Sequence, residues 1–265
     1  MKKALLIITA LALLAAGCGQ NQPYPKKKGV LRIVQYNVGA FSKELDNSIP
    51  MIASMMNELK ADAISLNELD SCNLRHGNYQ LADFASVMGG WNYRFGRAMP
   101  YKQGAYGVGV AVGDEILDGF TVTLPKEDGS EQRACCVVET PRFVMASTHL
   151  DHKSRAAALL QAKTLTDAIK ARYGDSSKPV FLAGDMNVLP DSEVIAQFKE
   201  DWTLLSGSAL TFPAKEPRKC IDYIFVLNNA AKVKALDTCV PEEFHSGDVK
   251  TASDHRPVFV DVKID

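Results

Sequence analysis

Val180-Phe181-Leu182-Ala183-Gly184-Asp185-Met186-Asn187 is a short apolar run that breaks on Gly-Asp-x-Asn. Its length and composition predict a buried strand that delivers two polar side chains where it stops. The arrangement recurs along the chain. Phe143-Val144-Met145-Ala146-Ser147-Thr148 closes on His149, Leu31-Arg32-Ile33-Val34-Gln35-Tyr36 on Asn37, and Ala63-Ile64-Ser65-Leu66-Asn67 on Glu68. Cys220-Ile221-Asp222-Tyr223-Ile224-Phe225 opens a further strand, and Ser253-Asp254-His255 leads into another at Val258. An Asp beside a His is commonplace on a protein surface. Strand ends that repeatedly present Asn, Glu, His and Asp are not, and this oxygen- and imidazole-rich set is what a hard divalent cation and a phosphate ester require.

Between these strands the period changes to that of a helix. Ser48-Ile49-Pro50 followed by Ile52, Met55, Met56 and Leu59 has i, i+3, i+4, i+7 spacing, with Pro50 acceptable in a first turn. A second helix fits Tyr79 to Met88, stopped by Gly89-Gly90, and a third runs from Ser154 through Tyr173 to Gly174. Asp191 is placed to cap a fourth carrying Val194, Ile195 and Phe198. The middle is β-rich, with runs at Tyr93 to Arg97, Gly107 to Val112, Phe120 to Leu124 and Ala134 to Val138. Helices and strands alternate on either side of it, which suggests two sheets packed face to face with helices outside. Periodicity alone also permits one doubly wound sheet.

Thr148-His149-Leu150, Gly184-Asp185-Met186-Asn187 and Ser253-Asp254-His255, in this order, resemble the endonuclease/exonuclease/phosphatase superfamily from about Val30 to the chain's end. These are metal-dependent phosphoesterases that include deoxyribonuclease-like enzymes, inositol polyphosphate phosphatases and neutral sphingomyelinases. One departure is Asn67, where the family usually has Gln before its metal-binding Glu. The resemblance implies an α/β fold, a four-layer α/β/β/α sandwich of two packed mixed sheets flanked by helices, with the site at one end of the sheets.

It also implies roles. Mg²⁺, or Mn²⁺, would be held by Glu68 with Asn37 beside it, and Asp254 would be a second metal ligand or a brace. Asp185 would orient and deprotonate the attacking water, and Asn187 would meet the phosphate or its developing charge. His149 and His255 would flank the phosphate as donors, with Asp222 behind His255, because an acid behind an imidazole fixes its tautomer and favours its protonated form. Tyr106 stands where many relatives place a phosphate-contacting residue, so Asn37, Tyr106, His149 and Asn187 form the substrate-binding set; Arg133 is a further candidate for the pocket. His76, His152 and His245 lie outside these motifs and read as solvated loop residues. The expected activity is hydrolysis of a small or lipid-borne phosphate ester by in-line attack of metal-activated water. A secreted nuclease and a non-catalytic lipid-anchored binding protein are the alternatives.

Met1-Lys2-Lys3, an apolar run from Ala4 to Ala16 and then Gly17-Cys18 read as a leader too short to span a bilayer permanently. Small residues directly before a Cys resemble a bacterial lipoprotein signal, so residues 1–17 are expected to be removed and Cys18 lipidated. Residues 18–29 form a polar, Pro-stiffened tether whose lysines can rest on anionic headgroups. Residues 30–265 are then one domain, a monomer anchored to the envelope membrane and facing the periplasm. Of 30 basic residues five precede Val30, where no acid occurs, so the body carries 25 against 31 acids, about −6. That balance argues against strong duplex nucleic-acid binding. Cys72, Cys135, Cys136, Cys220 and Cys239 contain no Cys-x-x-Cys spacing, which argues against a zinc site. Cys135 and Cys136 read as buried neighbours on opposite faces of a strand, while a bridge among Cys72, Cys220 and Cys239 stays open.

Overall fold

A computed structural model describes residues 23–264. The leader, Cys18 and the tether as far as residue 22 lie outside the described residues. Strand β1 (Leu31–Asn37) is followed by α1 (Ile49–Leu59), β2 (Ala63–Ser71) and α2 (Gln80–Val87). The β-rich middle comprises β3 (Asn92–Tyr101), β4 (Gly104–Val112), β5 (Asp118–Thr123), β6 (Ala134–Glu139) and β7 (Val144–His149). Then come α3 (Arg155–Tyr173), β8 (Val180–Asp185), α4 (Glu193–Asp201), β9 (Trp202–Leu204), β10 (Asp222–Leu227), β11 (Val233–Cys239), α5 (Val249–Ala252) and β12 (Val258–Ile264).

Local chemistry explains most of these boundaries. In α1 Pro50 occupies the first turn, Ile52, Ala53, Met55, Met56 and Leu59 are buried, and Lys60 ends the helix in the left-handed region at φ 54°. The Ser154 hydroxyl accepts the Ala157 N–H and so caps α3. The cap of α4 is Ser192, one residue beyond the expected Asp191, because its hydroxyl is the group that reaches the Ile195 N–H. Strands β9 and β11 and the short α5 had no signal in the sequence. Strand β11 is an edge strand exposed along most of its length, with a register shift between Ala235 and Asp237, so it shows no apolar alternation.

The strands form two mixed six-stranded sheets, ordered β11-β12-β1-β2-β4-β3 and β5-β6-β7-β8-β10-β9. Ile33, Val110, Phe143, Phe181, Ile224 and Val260 fill the space between them. On the outside, α1 and α2 cover the first sheet through Ile52, Met56 and Phe84, while α3 and α4 cover the second through Leu165, Ile169 and Phe198. This is the four-layer α/β/β/α sandwich, and it removes the single doubly wound sheet from consideration. Cys135 and Cys136 are both buried, Cys135 toward the outer core and Cys136 toward the inner one. All five described cysteines are free, so no bridge forms among Cys72, Cys220 and Cys239.

The register puts the chemistry at one end. Parallel β1 and β2 align Asn37 with Asn67, and parallel β7 and β8 align His149 with Asp185. Antiparallel β10 starts there, with Asp222 opposite Asp185, and antiparallel β12 starts just after His255. The described part of the expected tether is fastened to the domain. The Tyr24 ring packs on Phe244 and Phe259, and Lys26 is paired with Asp62 rather than left for headgroups. Among the described residues no helix is long and apolar enough to cross a membrane.

Candidate active site

Where the two sheets end, a cavity of about 620 Å³ opens, and Glu68, Tyr106, His149, Asp185, Asn187, Asp254 and His255 line it. Asn37 and Asp222 stand behind this lining. All nine candidate residues therefore meet in one place.

Asn67 joins the sheets beneath the site. Its Oδ1 accepts from Gln35 Nε2 at 2.6 Å and from the Asp185 N–H at 2.9 Å, and its Nδ2 donates to the Thr148 carbonyl at 2.9 Å. The amide that replaces the expected Gln is thus a fully used brace between β1, β2, β7 and β8. Glu68 sits at φ 60°, inside a register shift of β2 between Leu66 and Leu69. A bulge of this kind re-aims a side chain, here into the cavity. Asn187, at φ 55°, is turned likewise, with its N–H on Asp185 Oδ1 at 2.9 Å and its Nδ2 on the Leu150 carbonyl at 3.1 Å.

Asp185 is the centre of the arrangement. Asn37 Nδ2 donates to its Oδ2 at 3.0 Å, while His149 Nε2 and His255 Nε2 lie 3.5 and 3.6 Å from the same oxygen. Burial, and then the Asp222 charge, push its carboxyl up to about 7 against the pull of His255 and the two amides. The two imidazoles are in opposite states. His255 Nδ1 meets Asp222 Oδ2 at 2.9 Å, and although burial pushes His255 down, Asp222 and then Asp185 outweigh it and hold the ring up at about 9. His149 has a guanidinium behind it: Arg133 Nη1 lies 3.2 Å from its Nδ1. A guanidinium can only donate, so Nδ1 accepts and the proton is on Nε2, toward Asp185. Burial and Arg133 push His149 well below its ordinary range, and it is neutral. Asp222 therefore stands behind His255, as expected, whereas Arg133 stands behind His149.

Two carboxylates converge on one cation. Lys43 Nζ is 3.0 Å from Glu68 Oε2 and 3.0 Å from Asp254 Oδ2, and Asn37 Nδ2 donates to Glu68 Oε1 at 3.1 Å. Its stem lies over Gly39, whose φ is 54° and where a Cβ would come within 2.9 Å of Lys43 Cδ. The ammonium thus occupies a point between hard oxygens, and that donor set fits a divalent cation such as Mg²⁺. A second trio, Asp185, Asp222 and His255, has donor atoms within 4.8 Å of one another. Asp222 is already used, however, by Gln35 Nε2 at 3.1 Å, Thr211 Oγ1 at 2.6 Å and His255.

Lys43, Arg75, Tyr101, Phe212 and Lys219 also line the cavity, and none of them is among the residues expected at the site. His152 is exposed in a loop as expected, and it also lines the cavity, with Arg133 Nη2 3.2 Å from its Nδ1. His76 is half-buried and bound to Asp70 at 2.7 Å, whereas His245 is exposed as expected.

The sequence profile of the endonuclease/exonuclease/phosphatase family matches residues 34–255. The chain belongs to this family. Among solved structures it resembles an endonuclease/exonuclease/phosphatase from Bacteroides vulgatus, with 19% identity, 90% of this chain and 100% of that one covered, and a TM-score of 0.73. A mannosyl-6-phosphatase from Bacteroides thetaiotaomicron superposes with a TM-score of 0.66 at 22% identity over 88% of this chain and 99% of that one. ANGEL2, a 2′,3′-cyclic phosphatase, does so with 0.69 at 14% identity over 88% and 95%. A search of curated protein sequences finds no match. Members of this family are hydrolases that generally depend on a divalent metal, and the acidic groups at the strand ends supply a candidate site for one.

Proposed function

We propose that the protein is a metal-dependent phosphoesterase, using Mg²⁺ or alternatively Mn²⁺, that hydrolyses a small or lipid-borne phosphate ester by in-line attack of water. The observation that carries this reading is the Asp185 carboxylate set between a neutral imidazole and a charged one, each with an Nε2–H facing it. A phosphate beside Asp185 would receive hydrogen bonds from His149 and His255 and from the second Nδ2 hydrogen of Asn187. The charge on His255 favours the trigonal-bipyramidal oxygens over the ground state. Asp185, held near neutrality by burial, is matched to take the proton of the attacking water. Glu68 and Asp254, with Asn37 beside them, would hold the cation, which when bound supplies charge neutralisation to the phosphate oxygens. The likenesses to a mannosyl-6-phosphatase and a 2′,3′-cyclic phosphatase support a phosphate ester as the substrate. We also propose that Cys18 carries a lipid anchor that holds the domain at the envelope membrane.

The test is turnover of p-nitrophenyl phosphate and bis-p-nitrophenyl phosphate. EDTA should abolish it and Mg²⁺ or Mn²⁺ restore it, and Asp185→Asn should lose roughly two to four decades in rate while remaining folded. Near-wild-type turnover in Asp185→Asn removes this mechanism. Efficient nicking of duplex plasmid at moderate salt would favour the nuclease instead, against the calculated acid excess of the body.

A further inference from the structure

One wall of the cavity is built around a residue that plays no part in the chemistry above. Asp70 and Tyr106 are cross-strand partners in β2 and β4, and the loop after β2 folds Arg75 back onto them. Arg75 Nε and Nη2 donate to the two oxygens of Asp70 at 2.6 and 2.8 Å, and the Asp70 side chain is fully buried. The guanidinium carbon stands 4.8 Å from the Tyr101 ring centroid and 5.8 Å from that of Tyr106. The loop itself is locked. Asn73 Oδ1 accepts the N–H groups of Arg75 and His76 at 2.9 and 3.0 Å, and Leu74 N–H donates to the Lys102 carbonyl at 2.8 Å. Gly104 is required beneath it, since a Cβ there would meet the Ser71 and Cys72 carbonyls at 2.4 Å.

So much fixation leaves Arg75 with one free edge. Its Nη1 has no hydrogen-bond partner among the described residues, and Arg75, Tyr101, Tyr106 and Glu131 all line the cavity. We propose that this wall is the specificity subsite, in which Arg75 Nη1 reads hydroxyl oxygens on the alcohol portion of the substrate, a polyhydroxylated phosphate ester. The charge balance decides between hydroxyls and a second phosphate. Asp70 already neutralises Arg75, and Glu131 opposes Arg133 at 3.2 Å, so this side of the cavity offers no surplus positive charge. What it offers is a mixture, with N–H donors on Arg75, phenol hydroxyls on the two tyrosines and a carboxylate acceptor on Glu131. Hydroxyl groups both donate and accept and are satisfied by such a mixture, whereas a phosphate only accepts. The planar fork held by Asp70 also restricts the geometry in a way an ammonium would not.

This inference rests on the phosphoesterase reading, and the experiment separates the two. With Mg²⁺ present, kcat/KM is measured on p-nitrophenyl phosphate, which has no alcohol hydroxyls, on a hexose 6-phosphate, on a hexose bisphosphate, and on vesicles of phosphatidylcholine containing a phosphorylated phosphatidylinositol. Arg75→Lys, which keeps a counter-charge for Asp70, should lower the ratio of hexose phosphate to p-nitrophenyl phosphate turnover tenfold or more, chiefly through KM. Tyr101→Phe, which leaves the packing in place, should lower it several-fold and serves if Arg75→Lys fails to fold. The vesicle arm tells a lipid headgroup from a free ester, with the same dependence on Arg75 expected for whichever is the substrate. An unchanged ratio in both variants, or an effect confined to the bisphosphate, overturns the subsite while leaving the phosphoesterase reading intact. Absence of any p-nitrophenyl phosphate turnover in the metal-loaded wild type overturns both.

Discussion

Replacing Asp261 by Asn should cost a large share of the domain's stability. Arg32 Nε and Nη2 donate to the two Asp261 oxygens at 2.7 and 2.8 Å, with the guanidinium fully buried and the carboxylate nearly so. The remaining nitrogen, Nη1, donates to the Leu59 and Tyr24 carbonyls at 2.7 and 2.9 Å, and the guanidinium carbon lies 4.1 Å from the Phe259 ring centroid. An Asn accepts one of the two lost bonds and returns no charge, so a cation is left buried without its partner, at about 3–5 kcal/mol. That is a large part of the roughly 5–15 kcal/mol by which domains are stable, and it corresponds to a fall of roughly 6–20 °C in Tm for a domain of this size. Because Arg32 and Asp261 are register partners of β1 and β12, the same pair holds the alignment that brings the Asn37 carbonyl to the Ser253 hydroxyl at 2.7 Å. The assay is thermal and urea unfolding of the single variants and of Arg32→Met with Asp261→Leu. The double variant, which removes both charges, should be more stable than Asp261→Asn alone. A melt of Asp261→Asn within about 2 °C of wild type would refute the reasoning, since that corresponds to at most about 1 kcal/mol.

Asp222→Asn removes the main group that raises His255, so in metal-free protein the imidazole titration followed by NMR should fall clearly from about 9, because burial is then opposed only by the more weakly acting Asp185 and Asp254. The sign for stability follows. A folded value above the unfolded one contributes stability that is complete below about pH 6.5 and is lost as pH rises through about 9, so the variant should show a smaller alkaline decline. An unmoved titration would mean that Asp222 is not what charges the ring. Cys18→Ala should leave an unprocessed or mislocalised precursor that no longer partitions into detergent, since a diacyl anchor buries methylenes at about 0.8 kcal/mol each; normal processing and unchanged partitioning would exclude lipidation at this residue.

What the sequence made legible were groups whose position follows from a strand's end. Asn37, His149 and Asp185 each close an apolar run, and parallel pairing inside each sheet brings those ends level without any further information. Choosing between two facing sheets and one needed more than periodicity, because buried strands read as continuous apolar runs in either case. Strand β11 escaped for the opposite reason. It buries almost nothing, so no pattern was imposed on Val233 to Cys239.

The parts of the site that stayed hidden depend on backbone or partner choices made far away in the chain. Lys43 reaches Glu68 and Asp254 because Gly39 is left-handed and has no Cβ, and Glu68 points inward because β2 slips by a residue at its own position. His149 and His255 look alike as sequence, each a His at a strand mouth with an Asp within two residues. What separates them is the group behind the ring, Arg133 from the segment before β6 in one case and Asp222 at the start of β10 in the other. The charge difference between the two imidazoles is thus a property of strand order. One visible clue did exist for the Arg75 wall. Asp70 follows Leu69 at a position buried on the apolar strand β2, and a buried acid demands a cation or donors nearby. Arg75 and His76, five and six residues on and separated from it by the turn-forming Asn73, were the nearest groups able to answer. A buried carboxylate in a strand that leads into a site is therefore a reason to look for the residue it holds in place, and here that residue is the one whose free edge faces the substrate.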